Sequence, residues 1–282
     1  MKLLLENGAD VNAEGGQYGN ALQAASYKGN EVIVKLLLKN GAGVNAEGGR
    51  YGNALQAASI GGNEAIVKLL LESGAGVNAG GGWYGNALQA ASLVGNKVIV
   101  ELLLENGADV NAEGGQYANA LLAALIEGNE AIVKLLLENG AEVNAEVGRY
   151  GNALQVASKR CNEAIVKLLL ENGAGVNSEG GPYGYALQAA SYGGNEAIVK
   201  LLLENGAGVN AEGGQYGNAL QAALVGGNEA IVKLLLESGA RVNAGGGLYG
   251  NALQAASLVG NDAIVKLLLE NGTGVNTEGG SG

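Results

Sequence analysis

Gly80-x-Gly82-x-x-Gly85 and Gly245-x-Gly247-x-x-Gly250 have the spacing G-x-G-x-x-G, in which small residues let a backbone approach a pyrophosphate. That chemistry also needs a strand before the glycines, a long crossover helix after them and a parallel sheet around both. Here the pattern is one variant of a recurring loop, and no G-x-x-x-x-G-K-[ST] accompanies it. Cys161 is the one thiol, and the adjacent Lys159 and Arg160 are of the kind that activate a nucleophile. It stands in a turn where equivalent segments hold Gly, which favours a tolerated substitution. Carboxylates such as Glu31 and Glu64 recur at equivalent positions, as solvated groups do, rather than converging as an acid–base pair. With no His and one Cys, the usual transition-metal ligands are missing. No cofactor is implied, no catalytic residue stands out, and an enzyme is disfavoured.

These groups take their meaning from the pattern that carries them. Val-Asn recurs at Val11, Val44, Val77, Val110, Val143, Val176, Val209, Val242 and Val275, every interval being 33 residues. Eight full units run 13–45, 46–78, 79–111, 112–144, 145–177, 178–210, 211–243 and 244–276. A partial unit at 1–12 precedes them and a stub at 277–282 follows, in a single array over 1–282.

The unit AEGGRYGNALQAASIGGNEAIVKLLLESGAGVN (46–78) spells loop, helix, turn, helix, loop. Asn53 caps a first helix, and Gln56 three residues on completes an N-x-x-Q capping box. That helix is short and rich in Ala, so a neighbour packs closely on it. Gly62 ends it, where positive φ is needed. Asn63 caps a second helix whose Ala65, Ile66, Val67, Leu69, Leu70 and Leu71 bury one broad face, and Gly74 stops it. The connecting AGVNAEGGRYG (42–52) has Gly and Asn where a hairpin-like turn needs them. The fold class is all-α: a solenoid of helix-turn-helix units joined by hairpin-like loops.

This pattern resembles the ankyrin repeat. The family's T-P-L-H-x-A-A-x-x-G-H corresponds to Asn53-Ala54-Leu55-Gln56-Ala57-Ala58-Ser59-Ile60-Gly61-Gly62-Asn63. Its I-V-x-L-L-L-x-x-G-A-D-V-N corresponds to Ile66-Val67-Lys68-Leu69-Leu70-Leu71-Glu72-Ser73-Gly74-Ala75-Gly76-Val77-Asn78. The departures are systematic: Asn for Thr keeps a cap, Gln for His keeps a hydrogen-bonding side chain, and Ala for Pro gives up a fixed φ. The dialect Y-G-N-A-L-Q-A-A-S is similar to ankyrin arrays of filamentous fungi, often attached to nucleotide-binding NACHT signalling domains. The resemblance implies a surface, formed by the loop tips and the end of the first helix, that grips a protein or peptide.

Sequence variation falls on those positions. The loop position holds Gln17, Arg50, Trp83, Gln116, Arg149, Pro182, Gln215 and Leu248. The end of the first helix holds Tyr27-Lys28, Ile60-Gly61, Leu93-Val94, Ile126-Glu127, Lys159-Arg160, Tyr192-Gly193, Val225-Gly226 and Leu258-Val259. Drift on an open surface does not favour Trp, Leu, Ile, Val and Tyr, so these positions, apart from Gly61, Pro182, Gly193, Gln215 and Gly226, are the candidate partner-binding set. Trp83, beside Leu93 and Val94, is the expected anchor, against the alternative of a Trp folded onto its own hairpin. Lys159 and Arg160 near Glu127 suit an inter-repeat ion pair better than a site for an acidic ligand. The segment 72–95 returns at 237–260, five units on, as copying of a block would leave it.

One further pair departs from the pattern. Glu31/Lys35, Glu64/Lys68, Glu130/Lys134, Glu163/Lys167, Glu196/Lys200, Glu229/Lys233 and Asp262/Lys266 share one order, and Lys97/Glu101 is reversed. Joint reversal implies contact across one helical turn, worth about 0.2–0.5 kcal/mol. It also suggests that Lys97 lies between Glu64 and Glu130 of adjoining units, which would compensate for a cation in the first turn.

A net charge of −11 and a pI near 4.6 count against nucleic acid or anionic lipid as a generic partner. No apolar run is long enough for a membrane span, and a single Cys suits a reducing, cytoplasmic setting. The unit 145–177, with Cys161, Val147 and Val156 where others hold Gly and Ala, is expected to be the weakest internal one. The chain starts inside a second helix, with Met1 in the place of Val34, and stops in a half-finished hairpin. That suggests part of a longer chain. The expected function is a protein-binding scaffold, the alternatives being a ligand-sensing segment of a NACHT-type protein and a structural spacer.

Overall fold

A computed structural model describes residues 3, 6–146 and 148–273. Met1, Val147, Val275 and the stub at 277–282 lie outside the described residues. Sixteen α-helices form among the described residues, in pairs. The chain divides into two compact units, Met1–Glu142 and Val143–Gly282. The first contains Ala21–Tyr27 with Glu31–Lys39, Ala54–Ile60 with Glu64–Glu72, Ala87–Val94 with Lys97–Glu105, and Ala120–Glu127 with Glu130–Glu138. The second contains Ala153–Lys159 with Glu163–Glu171, Ala186–Gly193 with Glu196–Glu204, Ala219–Val225 with Glu229–Glu237, and Ala252–Val259 with Asp262–Glu270. Within each unit, first helices pack on first helices and second on second.

The first helix starts where its cap dictates. The Asn53 side chain accepts from the Gln56 N–H at 2.9 Å, and Gln56 Oε1 accepts from the Asn53 N–H at 2.9 Å, so two orphan donors are satisfied at once. Leu55, Ala57 and Ala58 are buried, the alanines letting neighbouring helices approach. The second helix buries Ile66, Val67 and Leu70, each contributing about 1.5–3 kcal/mol. Its apolar face is narrower than the sequence suggests: Leu69 and Leu71 are half-buried and Ala65 is exposed. Asn63 also departs from expectation, since its side chain makes no cap bond. Its amide donates instead to the Ser26 and Tyr27 carbonyls of the preceding repeat, at 2.9 and 3.1 Å. Those carbonyls end a helix and lack intrahelical partners, so they compete successfully for the amide.

Between pairs, the chain forms a tight loop closed by a single antiparallel bridge, such as Gly48 with Gly52, and no longer strand forms among the described residues. Gly49 has φ 61°, and a Cβ there would lie 2.4 Å from the Gly19 nitrogen. Glycine is needed because consecutive loops touch backbone to backbone.

Candidate functional site

The loop contact that demands Gly49 also aligns the variable position beside it. The Arg50 N–H donates to the Gln17 carbonyl at 2.7 Å, Trp83 N–H to Arg50 at 2.9 Å, and Gln116 N–H to Trp83 at 3.0 Å. In the second unit, Gln215 N–H donates to Pro182 and Leu248 N–H to Gln215, both at 2.9 Å. Proline has no N–H, so that ladder starts at the Pro182 carbonyl. These ladders engage the backbone N–H and carbonyl groups of the variable position. Gln17, Arg50, Trp83, Arg149, Pro182 and Leu248 are exposed, Gln116 and Gln215 half-buried. Trp83 is 51% and Leu248 76% exposed, so neither is folded down into its hairpin.

The ends of the first helices divide differently. Lys28, Val94, Glu127, Arg160, Leu258 and Val259 are exposed, whereas Ile60, Leu93, Ile126, Lys159 and Val225 are half-buried. Tyr27 and Tyr192 are half-buried too, for a specific reason. Tyr27 stacks on Tyr51 at 4.6 Å between centroids and lies 5.8 Å from Tyr18. Tyr192 stacks on Tyr216 at 4.7 Å and lies 6.0 Å from Tyr183. Tyr84 and Tyr249 extend the two stacks at 6.1 Å. Each tyrosine of one stack is 165 residues from its counterpart, the same offset as the copied segment. The stacks link loop to helix end: Tyr18 and Tyr51 flank Gln17 and Arg50 in the loops, and Tyr27 belongs to a first helix.

Cations lie on two of these rings and on two other aromatic rings. The Arg50 guanidinium is 5.7 Å from the Trp83 centroid, Lys28 Nζ 5.2 Å from Tyr27, Arg149 4.9 Å from Tyr150, and Lys159 Nζ 4.7 Å from Tyr192. Burial raises the Tyr51 phenol to about 12, its bond with the Tyr27 hydroxyl adding to the shift. Burial likewise raises Tyr183 and Tyr216.

Lysines of the second helices behave otherwise. Lys97 pairs with Glu101 at 3.3 Å and Lys167 with Glu163 at 2.6 Å, with Lys200–Glu196 and Lys35–Glu31 alike. No ion pair joins Lys97 to Glu64 or Glu130, contrary to the expected compensation; the Asn96 amide reaches Glu64 instead, at 3.4 Å. Lys134 turns from Glu130 to Glu138 at 3.9 Å. All are exposed, where such pairs contribute little.

Two features escaped sequence reasoning. Among the described residues, the Asn of each Val-Asn reaches the next repeat: Asn45 Nδ2 donates to the Gly74 carbonyl at 3.1 Å and its Oδ1 accepts from Gly76 N–H at 2.8 Å. Gln89, besides its capping role, donates to the Ala118 carbonyl at 2.8 Å and to Ala112 at 3.2 Å. The signal was present in the uniformity of these amides, which a local turn or cap alone does not require. Leu122 occupies the Gln position in the repeat 112–144 and has no amide to give. Cys161 has φ 60° in the turn where other repeats place Gly, and its Sγ donates to the Gly193 carbonyl at 3.4 Å.

Comparison with known proteins agrees with this geometry. A search of curated proteins found no significant match. Among solved structures, the human ASB11 ankyrin repeat domain superposes with a TM-score of 0.68 at 29% identity, over 77% of this chain and 97% of that one. The family model described as ankyrin repeats (3 copies) matches residues 1–80, 23–114, 55–147, 88–180, 145–213 and 187–279. With paired helices, bridged loops and matches that together span almost every residue, the chain belongs to the ankyrin repeat family.

Proposed function

We propose that this chain is a scaffold that binds a protein or peptide through its variable loop and helix-end positions. Ankyrin repeats generally mediate protein–protein interaction. The observation that carries the reading is the backbone ladder, Gln17 to Arg50 to Trp83 to Gln116. It holds the most variable side chains of consecutive repeats in one row while the uniform amides are engaged between repeats. Exposed Trp, Arg and Leu in such a row are the residue types that dominate interface energetics. A selection of random displayed peptides against the array tests this. Binders are expected to lose affinity when row residues take identities found elsewhere in the array (Trp83→Leu, Arg50→Gln) and to tolerate Lys68→Glu on a second helix. The reverse pattern, or no binders at all, would leave only the spacer.

The dialect Y-G-N-A-L-Q-A-A-S favours a narrower setting, in which the array is the ligand-sensing segment of a larger fungal NACHT-type protein, acting in the cytoplasm in non-self recognition. Genomic sequence upstream of Met1 lacking any NACHT domain would refute it.

A further inference from the structure

The variable positions hold five cations, Lys28, Arg50, Arg149, Lys159 and Arg160, and one acid, Glu127, on a chain of net charge −11. The cations at the variable positions differ from those of the second helices in what they touch. Second-helix lysines such as Lys35 and Lys97 lie against carboxylates of their own helix. Among the described residues, Arg50 and Lys28 have no carboxylate within 4 Å; each lies over an aromatic ring. A ring orients a cation and shields one side of it without neutralising its charge. The outer side of the Arg50 guanidinium therefore keeps donors suited to a carboxylate, with the exposed Trp83 beside it as an apolar surface.

We infer that the Lys28–Arg50–Trp83 patch is a docking site for an extended peptide in which an acidic residue stands next to an apolar one. The inference rests on the proposed binding row and names its partner class. Charge complementarity selects the occupant: the patch is cationic on a chain whose net charge is −11. A polyanion such as nucleic acid is disfavoured because the chain's net charge repels it beyond the few cations at hand.

The chain carries its own control. At the positions 165 residues on, Lys28, Arg50 and Trp83 become Gly193, Gln215 and Leu248, while the surrounding tyrosine stack is preserved. Within the same frame, the second unit thus lacks the arginine and the indole; Lys159 lies over Tyr192 there as Lys28 lies over Tyr27, with no Arg–Trp pair beside it. One site per chain follows, in the first unit.

The test uses the full chain and a fluorescein-labelled peptide of alternating Glu and Leu, read by anisotropy, beside matched Gln/Leu and Lys/Leu peptides and a single-stranded oligonucleotide. The acidic peptide is expected to bind with one site per chain and to weaken as salt rises. Arg50→Gln and Trp83→Leu, both residues this frame already accepts, are expected to weaken it about tenfold each. Gln215→Arg with Leu248→Trp is expected to raise the stoichiometry from one to two. Equal binding to wild type and to the Arg50→Gln variant would overturn the site. Preference for the Gln/Leu or Lys/Leu peptide, or for the oligonucleotide, would overturn the partner class. Absence of acidic-peptide binding overturns this inference alone, because the displayed-peptide selection assesses the binding row without regard to charge.

Discussion

Tyr51 lies among Tyr18, Tyr27 and Tyr84, and its phenol is held at about 12 rather than 10 by burial first and by the Tyr27 hydroxyl second. The consequence for stability has a definite sign. Below pH 10 the phenol is protonated in folded and unfolded chains alike, and it confers no pH dependence. Between pH 10 and about 12 the unfolded chain loses the proton and the folded chain keeps it, so stability falls as pH rises through that window. Tyr216 in the second stack follows the same rule. Urea midpoints measured across the alkaline range should fall more steeply for wild type than for Tyr51→Phe with Tyr216→Phe. Identical slopes would show that the stacks do not hold these protons. Residues at this scale also set limits on reading from sequence. Tyr27 and Tyr192 were expected on the open surface with the other helix-end residues, but their planar rings find partners in the loops. Nothing in the residue spacing reveals which ring faces which.

At the scale of the helix pair, the uniform amides do more than cap. Gln89 accepts from its own cap residue and donates to carbonyls of the next repeat, so replacing it removes two kinds of bond at once. Gln89→Leu, a residue already present at Leu122, is expected to destabilise the array by about 1–3 kcal/mol, because buried acceptors lose their donor. Urea unfolding of the variant checks this, and an unchanged midpoint would reduce the inter-repeat bond to ornament. Much of the element scale was legible in advance. The capping box at Asn53, the stop at Gly62 and the second-helix core of Ile66, Val67 and Leu70 follow from local rules of spacing and backbone freedom. Asn63 was misread because its competing acceptors, the Ser26 and Tyr27 carbonyls, are some thirty-six residues away in the chain. Local pattern does not encode a partner at that distance. The same holds for Lys97, whose partner within the helix is legible and whose neighbours in adjoining repeats are not.

At the scale of the whole molecule, stability in such arrays is the sum of repeats and the surfaces joining them. The repeat 145–177 has two observed weaknesses. Cys161 adopts φ 60°, a conformation costing roughly 1–2 kcal/mol for a residue with a Cβ. Val156 fills a buried position held by Ala in its counterparts. Hydrogen exchange is expected to be faster in 145–177 than in 46–78, 79–111, 178–210 and 211–243, and strongest protection there would contradict the reading; 112–144 has its own burdens, Ala118 at φ 65° and Leu122 in place of Gln. Cys161→Gly should slow exchange in 145–177. The amide bonds between repeats have one more consequence. Asn45 meets Gly74 and Gly76, and Asn78 meets Gly107 and Asp109, through the same atoms in the same register. Excising 46–78 would bring Asn45 to Gly107 and leave the seam chemically unaltered. The array is thus a set of interchangeable parts, and a lineage can lengthen, shorten or reorder it by whole modules without inventing a new joint.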